Sequence, residues 1–154
     1  MRLLITGANG FIGKYFTNHH HDNKNYIQKF SFLNDDIKQL ECKGIDAVLH
    51  LSALVHQMRG ATKEEYEKIN VVQTLQLAKK AKDNGVKQFV FMSTVKVYGE
   101  ETVGNYTENS ICTPEDDYGK SKLKAEIELQ KLETSTFKVS IIRTPIVYGY
   151  RSEE

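Results

Sequence analysis

Two side chains with proton-transfer chemistry lie one helical turn apart in residues 118–122, which read YGKSK. The four-residue spacing places Tyr118 and Lys122 on one helix face, which Ala125, Leu129 and Leu132 continue as an apolar stripe. A cation near a phenol favours the phenolate and lowers the phenol pKa toward the range useful to a general acid or base. An exposed lysine beside a half-buried core tyrosine has the same spacing, so the spacing leaves both interpretations open.

Hydroxyl groups end one of the apolar runs of the chain. Residues 87–92 (KQFVFM) predict a strand, and Ser93 and Thr94 follow it directly. Ligands of open α/β sheets bind outside the carboxyl ends of the strands, where such a hydroxyl could hydrogen-bond a substrate oxygen. A strand-end Ser-Thr pair that satisfies local backbone groups is the other interpretation.

Three glycines, Gly7, Gly10 and Gly13, recur at three-residue spacing between a predicted strand and a predicted helix, in residues 6–13 (TGANGFIG). The first allows a tight turn, the second lets the backbone approach a pyrophosphate, and the third lets the helix pack closely on the strand. The N-terminus of the helix adds free N–H groups and a partial positive charge. This context predicts a dinucleotide-binding loop, and a glycine-rich turn without a ligand is the alternative.

Apolar strand patterns alternate with helical patterns along the chain. Strands separated by helices imply right-handed crossovers and an α/β fold with a doubly wound parallel sheet, with helices on both faces. Only a short helix or turn fits between residues 32 and 46, so we expect the strand that a full dinucleotide fold has there to be missing or vestigial. The predicted strands are 2–6, 26–32, 47–51, 87–92 and 138–143, and the predicted helices are 11–18, 62–83 and 117–133.

The composition excludes several classes of protein. The 154 residues carry 21 Lys and Arg against 20 Asp and Glu, so no charge excess indicates a nucleic acid or an acidic membrane as partner. No apolar run approaches the ~20 residues of a membrane span. Cys42 and Cys112 have no metal-ligand spacing and cannot form a disulfide framework, which favours the reducing cytoplasm. We expect His19, His20 and His21 to lie in a solvated loop, and we expect no metal site.

Five short motifs in a fixed order resemble those of the extended short-chain dehydrogenase/reductase family: TGANGFIG, HLSALVH, STVKVYG, YGKSK and RTPIVYG. Within that family the chain is most similar to the NAD-dependent nucleotide-sugar epimerase/dehydratase group, in its surface-polysaccharide UDP-sugar 4-epimerase branch. The resemblance covers residues 1–149. It implies a Rossmann-like domain, NAD as cofactor and a UDP-sugar as substrate.

The resemblance also implies roles for individual residues. Thr94, Tyr118 and Lys122 match the catalytic residues of the family, and Asn70 matches an asparagine that braces the site. Lys122 is expected to hydrogen-bond the nicotinamide ribose, and residues 143–147 to pass the nicotinamide ring. The expected cofactor contacts are Gly7, Asn9, Gly10, Phe11, Ile12, Gly13, Asp36, Ile37, Leu51, Ser52, Ala53, Tyr118, Lys122 and Pro145.

The implied reaction is an oxidation that reverses on the other face of the sugar. The phenolate of Tyr118 removes a proton from a sugar hydroxyl that Thr94 holds, while hydride passes to NAD; hydride then returns to the opposite face of the keto-sugar. Family dehydratases carry Asp-Glu after the catalytic threonine, where this chain has Val95 and Lys96, so we do not expect dehydration. A keto-sugar or nucleotide-sugar reductase and a non-catalytic dinucleotide-binding module remain alternatives. NADP stays open, because the end of the second strand has no clear acidic residue.

The two longest predicted helices resemble those through which family members form dimers. Apolar stripes on them, expected at Tyr66, Ile69, Val72, Leu123 and Ile127, predict a homodimer. Family members usually continue with a substrate lobe of similar length. We therefore expect residues 1–154 to be a single dinucleotide-binding domain and the N-terminal portion of such a protein, inactive without the lobe.

Overall fold

The structure is a computed structural model that describes residues 1–20, 26–55, 60–100 and 104–149. Within these ranges five strands form one parallel sheet in the order β2-β1-β3-β4-β5. This architecture confirms the predicted α/β class with a parallel, Rossmann-like sheet. The strands are β1 (Arg2–Thr6), β2 (Tyr26–Phe30), β3 (Ala47–His50), β4 (Gln88–Thr94) and β5 (Lys138–Thr144).

The helices end within three residues of the predicted bounds. They are α1 (Phe11–His19), α2 (Lys63–Tyr66), a π-helical segment (Glu67–Gln73), α3 (Thr74–Asp83) and α4 (Asp117–Gln130). Residues 63–83 run on without a break and are called the long helix below. Between β2 and β3 the described residues form only a 3-10 turn, Ile37–Gln39. This confirms the prediction that the additional strand of a full dinucleotide fold is missing here. None of the helices in the described ranges is long and apolar enough to cross a membrane.

Short polar side chains fix where the helices begin. The hydroxyl of Thr62 accepts from the N–H of Glu65 and the Glu65 carboxylate accepts from the N–H of Thr62, which is the capping box that the spacing predicts. Asp116 caps α4 by accepting from the N–H of Gly119 at 2.6 Å. The positions of the two longest helices therefore follow from local sequence.

The hydrophobic core lies between the sheet and one layer of helices. The long helix supplies Leu77, and α4 supplies Ala125 and Leu129. They pack on Phe89 and Phe91, alternate residues that share one face of β4. The stripe predicted to follow Tyr118 and Lys122 along α4 is thus in the core.

The predicted apolar stripe along the long helix is wrong in part. Tyr66 is only 5% exposed and Ile69 is half-buried, whereas Val72 is 43% exposed. Asn70 and Val71 take the buried positions between them. Six residues advance an α-helix by roughly 600°, so Tyr66 and Val72 lie about 120° apart and face different sides of the helix. The three residues therefore do not form one stripe.

Candidate functional site

The glycine loop packs as tightly as its spacing predicts. Gly7 has a left-handed backbone (φ +67°), and a side chain there would lie 2.8 Å from the backbone nitrogen of Ser52. A side chain on Gly13 would overlap the carbonyl of Gly7 and the backbone of Ala8. The N–H of Gly10 donates to the Gly7 carbonyl at 3.0 Å. The loop thus brings α1 against the carboxyl end of β1.

A cleft of about 550 Å³ opens beside this loop. Gly10 caps α1 without a side-chain acceptor, and the first turn of α1 carries no acidic residue. The helix N-terminus therefore offers N–H groups and a partial positive charge, as an anionic group requires. Five of the predicted cofactor residues line this cleft: Gly7, Asn9, Gly10, Ser52 and Ala53.

Other predicted cofactor residues lie away from the cleft lining. Asp36 accepts from the N–H of Lys38 at 2.9 Å, and Ile37 packs against the core. The backbone of Leu51 lies behind Gly7.

Three further predicted contacts lie on α1 and after β5. Phe11 and Ile12 are half-buried in the first turn of α1, and Pro145 is exposed. The ring of Phe11 nevertheless approaches Gly149, 3.3 Å from where a side chain there would begin, so the segment after β5 returns toward the glycine loop.

The far wall of the cleft comes from residues that the sequence analysis did not select. Lys29, Ser31 and Asp35 line it, after the end of β2. The carboxylate of Asp35 accepts from the N–H of Ser31 at 2.8 Å and so closes a turn. The carboxyl end of the second strand was the available signal, but the acidic residue follows that end by several positions instead of standing at it.

A buried histidine links the loop to the long helix. The ring of His50 bonds the hydroxyl of Thr6 at 2.7 Å and that of Thr74 at 2.8 Å, and the Thr6 hydroxyl also accepts from the N–H of Ser52. Burial lowers the pKa of His50 to about 3, and the charge of Lys122 adds to this effect. The histidine is therefore neutral and structural.

Thr94 and Tyr118 meet at the carboxyl end of β4. Their side chains share a hydrogen bond, and the ring of Tyr118 lies 6.1 Å from that of Tyr66. Burial raises the pKa of Tyr118, as does the charge of Asp116, and the bond to Thr94 only partly opposes them. The lowered phenol pKa expected from a neighbouring ammonium is therefore wrong for the chain alone, because desolvation outweighs the nearby positive charge.

Lys122 is buried, which decides between the two interpretations of residues 118–122. Its side chain is 2% exposed and its ammonium lies 3.9 Å from the ring centroid of Phe91. Burial lowers the pKa of Lys122 to about 7, against an opposing effect of Glu126. Within the described part of the chain, no hydrogen bond or ion pair involves this ammonium. A buried ammonium of this kind suits a ligand oxygen.

Two contacts hold the start of α4 against the residues that follow β4. The ammonium of Lys96 lies 2.9 Å from the carboxylate of Asp116 and 2.8 Å from that of Glu100. These bonds raise the pKa of Lys96 well above its ordinary value and keep it a cation. A side chain on Gly119 would begin 2.9 Å from the carbonyl of Lys96, so only glycine allows this approach. Tyr118 is thereby set opposite Thr94.

Asn70 braces the site from the π-helical segment. Its side chain accepts from the N–H of Leu54 at 2.8 Å and donates to the Leu54 carbonyl and to the Ser121 hydroxyl, both at 3.0 Å. The asparagine thus ties the loop after β3, which lines the cleft, to the helix that carries Tyr118 and Lys122.

A buried ion pair beyond Lys122 escaped the sequence analysis. Glu126 binds Arg143, whose Nη1 also donates to the hydroxyl of Tyr98 at 2.8 Å. The Arg143 side chain therefore faces α4. That residues 143–147 pass the nicotinamide ring stays a prediction. The available signal was the position of Glu126, four residues after Lys122 on the same helix face.

The chain is similar along most of its length to proteins with known activities. The family model described as "NAD dependent epimerase/dehydratase family" matches residues 3–154. A UDP-glucose 4-epimerase from Vibrio cholerae is 35% identical, over 96% of this chain and 52% of that protein. A dTDP-D-glucose 4,6-dehydratase from Mus musculus is 33% identical, over 79% of this chain and 37% of that protein.

One solved structure has the same fold over nearly all of this chain. The UDP-glucuronic acid 4-epimerase from Bacillus cereus, in complex with NAD, has a TM-score of 0.84 and 26% sequence identity, and the match covers 99% of this chain and 58% of that one. The chain spans about half the length of the curated relatives it matches.

Removing the buried charge should stabilise the chain while it has no ligand. In Lys122→Met the free energy of unfolding at pH 6–7 should rise by about 1–2 kcal/mol, because the ammonium is costly to bury. The wild-type free energy of unfolding should also rise with pH from about 7 toward the ordinary lysine pKa, because there the unfolded chain binds a proton that the folded chain has lost.

Urea unfolding at pH 6, 8 and 9 measures both effects. Lys120→Met, on the exposed side of the same helix, is the matched control and should change stability by less than about 0.5 kcal/mol. A Lys122→Met chain that is less stable than wild type at pH 6 contradicts the burial cost.

Proposed function

The chain belongs to the NAD-dependent epimerase/dehydratase family, and we propose that it carries the cofactor-binding and catalytic residues of a nucleotide-sugar 4-epimerase. The observation that carries the proposal is the buried ammonium of Lys122, which has no acceptor within the described residues and lies one turn from the Tyr118–Thr94 hydrogen bond. A ribose hydroxyl of a bound dinucleotide is an acceptor of the right kind. A module that only binds the cofactor needs neither Thr94 nor Tyr118.

The residues of the cleft fit NAD. Gly7 and Gly10 leave room for a pyrophosphate at the start of α1, and Ser52 and Ala53 border the adenosine half. The carboxylate of Asp35 on the opposite wall favours ribose hydroxyls over a ribose phosphate, which supports NAD over NADP. The remaining predicted contacts, Phe11, Ile12, Gly13, Asp36, Ile37, Leu51 and Pro145, stay predictions. When bound, the cofactor accepts and returns a hydride.

The protein residues handle the proton and the orientation of the sugar. Thr94 holds the reacting hydroxyl, and the oxygen of Tyr118, already bonded to Thr94, takes its proton. Because burial raises the pKa of Tyr118, the phenolate needs a positive charge beside it. Lys122 supplies that charge when protonated, and its pKa near 7 lets it change state at neutral pH.

The substrate class is proposed from the relatives together with one local feature. UDP-glucose 4-epimerase and UDP-glucuronic acid 4-epimerase are the names of two of the proteins described above. After Thr94, Val95 cannot transfer a proton, and Lys96 is held as a cation by Glu100 and Asp116. This pair favours epimerisation of a UDP-sugar over dehydration. Reduction of a keto-sugar uses the same residues in one direction and is the second candidate.

Three further expectations accompany this proposal. Residues 1–154 are proposed as one dinucleotide-binding domain that needs a substrate lobe for turnover. A cytoplasmic location stays a prediction, with both cysteines free in the structure. The long helix and α4 lie side by side and are joined by an ion pair between Lys124 and Glu67. We propose that these two helices form a homodimer interface. We also propose that the whole protein acts in polysaccharide biosynthesis.

Gly10→Val should weaken NAD binding by about tenfold or more, because the side chain occupies the place of the pyrophosphate. The fold should survive, since a side chain at Gly10 begins 3.3 Å from the Gly7 carbonyl and the backbone φ is −73°. Titration calorimetry with NAD measures the effect. The control is Asn18→Val, at an exposed position near the other end of α1. Equal affinity in wild type and Gly10→Val contradicts the cofactor site.

Tyr118→Phe in the full gene product should lower turnover of a UDP-sugar by about 10²–10⁴-fold while leaving NAD affinity near wild type. The variant keeps the ring and removes the oxygen that takes the proton. Tyr15→Phe, on the exposed side of α1, is the matched control. The stereochemistry at the reacting carbon separates epimerase from reductase, and near-normal turnover of Tyr118→Phe rejects the catalytic role.

Val72→Glu combined with Ile127→Glu should convert a dimer into a monomer at tens of micromolar. Val72 is 43% exposed and Ile127 is 46% exposed, on two helices that contact each other. Burying a carboxylate against its own copy is costly. Light scattering measures the mass, with Ile111→Glu, in an exposed loop, as control. A wild-type chain that is monomeric at this concentration contradicts the interface.

A further inference from the structure

Glu126 is a buried carboxylate on the helix that carries Tyr118 and Lys122, and the proposed reaction gives it no role. Its residue is 1% exposed, one helical turn beyond Lys122 on the same face. The Nη2 of Arg143 lies 2.6 Å from Oε2, and the Nε of Arg143 bonds both carboxylate oxygens at 3.1–3.2 Å. The hydroxyl of Ser93 donates to Oε1. These contacts fix the position and orientation of the carboxylate.

The strand beneath α4 places Glu126 and Lys122 over neighbouring positions. Phe91 and Ser93 are alternate residues of β4 and lie on the face that α4 covers. The ammonium of Lys122 lies over the Phe91 ring, and the carboxylate of Glu126 lies on Ser93. Arg143 stands opposite Ser93 in the register of β4 and β5. The strand, the helix and the ion pair therefore together fix the positions of the Lys122 ammonium and the Glu126 carboxylate.

We propose that Glu126 is a positioning residue for Lys122: its carboxylate, anchored by Arg143 and Ser93, is the counter-charge that keeps the Lys122 ammonium protonated over Phe91. The consequence for catalysis rests on the proposed function, because there Lys122 must carry the positive charge beside Tyr118. The electrostatic pairing itself does not depend on any ligand.

Among the described residues, Glu126 is the group whose negative charge acts on Lys122, and the carboxylate of Asp116 at the start of α4 is paired with Lys96. On β3, His50 is neutral, since its pKa is about 3. On α4, burial raises the pKa of Tyr118 and keeps its phenol protonated, and Tyr66 of α2 contacts that ring. On β5, Arg143 is a cation held by Glu126. Burial lowers the pKa of Lys122, and Glu126 is the group that opposes this.

The test follows the protonation of Lys122 directly in the chain without cofactor or sugar. NMR of the ε-carbon in lysine-labelled protein between pH 5 and 10 gives its titration midpoint, and loss of the signal in Lys122→Arg assigns it. In Glu126→Gln the midpoint should move to lower pH by about one unit, because the amide keeps the shape and removes the charge. Ser93→Ala, which leaves the charge, should keep a midpoint near wild type.

The sign of the change separates this role from a structural one. If Glu126 only held α4 in place, its loss would admit water and move the midpoint up, toward the ordinary lysine value. An unchanged or higher midpoint in Glu126→Gln therefore overturns the proposal. Neither result depends on cofactor binding or sugar turnover, so failure of the proposed function is detected separately.

A second pair of variants applies if Glu126→Gln does not fold. Arg143→Gln and Arg143→Lys both lose the two-pronged contact with Glu126, but only Arg143→Lys keeps a positive charge there. With Glu126 uncompensated, the Lys122 midpoint should be higher in Arg143→Gln than in Arg143→Lys. Equal midpoints in the two variants overturn the proposal.

Discussion

The burial of one ammonium group, that of Lys122, is the constraint around which the site is built. Lys122 is 2% exposed, and burying an ammonium costs free energy unless charges or dipoles replace water. Phe91 offers a ring face beneath it, and Glu126 offers a carboxylate one turn away. The pKa near 7 that results shows that desolvation outweighs the opposing charge of Glu126.

The features that could be predicted from the sequence depend on neighbours in the chain. Glycine spacing predicted the tight loop because Gly7 and Gly13 are confined by backbone within a few residues or by the next strand end. The capping box at Thr62 and the inward face of Tyr118 and Lys122 follow from spacing of three and four residues. Such patterns fix secondary structure and facing direction before any tertiary contact forms.

The features that escaped prediction depend on residues far apart in sequence. Glu126 meets Arg143 across 17 positions. The resemblance implied a bracing role for Asn70, but its partner Ser121 lies 51 positions away and was not predicted. The predicted direction of the Tyr118 pKa shift was wrong, because the shift is the sum of opposing effects of desolvation and of nearby charges. The extent of desolvation is known only once the core is assembled. The far wall of the cleft, with Asp35, depends on a turn that closes through its own carboxylate. No spacing rule contains that information.

The π-helical segment separates two α-helical parts of the long helix, α2 and α3. Before it, Tyr66 faces the ring of Tyr118; within it, Asn70 reaches Leu54; after it, Leu77 enters the core. A π turn holds one residue more than the α-helix around it, so Tyr66 and Leu77 keep their facing directions on either side of it. Within the turn two residues adjacent in sequence, Asn70 and Val71, are both buried. Loss of one residue here would let the segment close into a regular α-helix, but it would remove one of the two side chains that the turn holds inward.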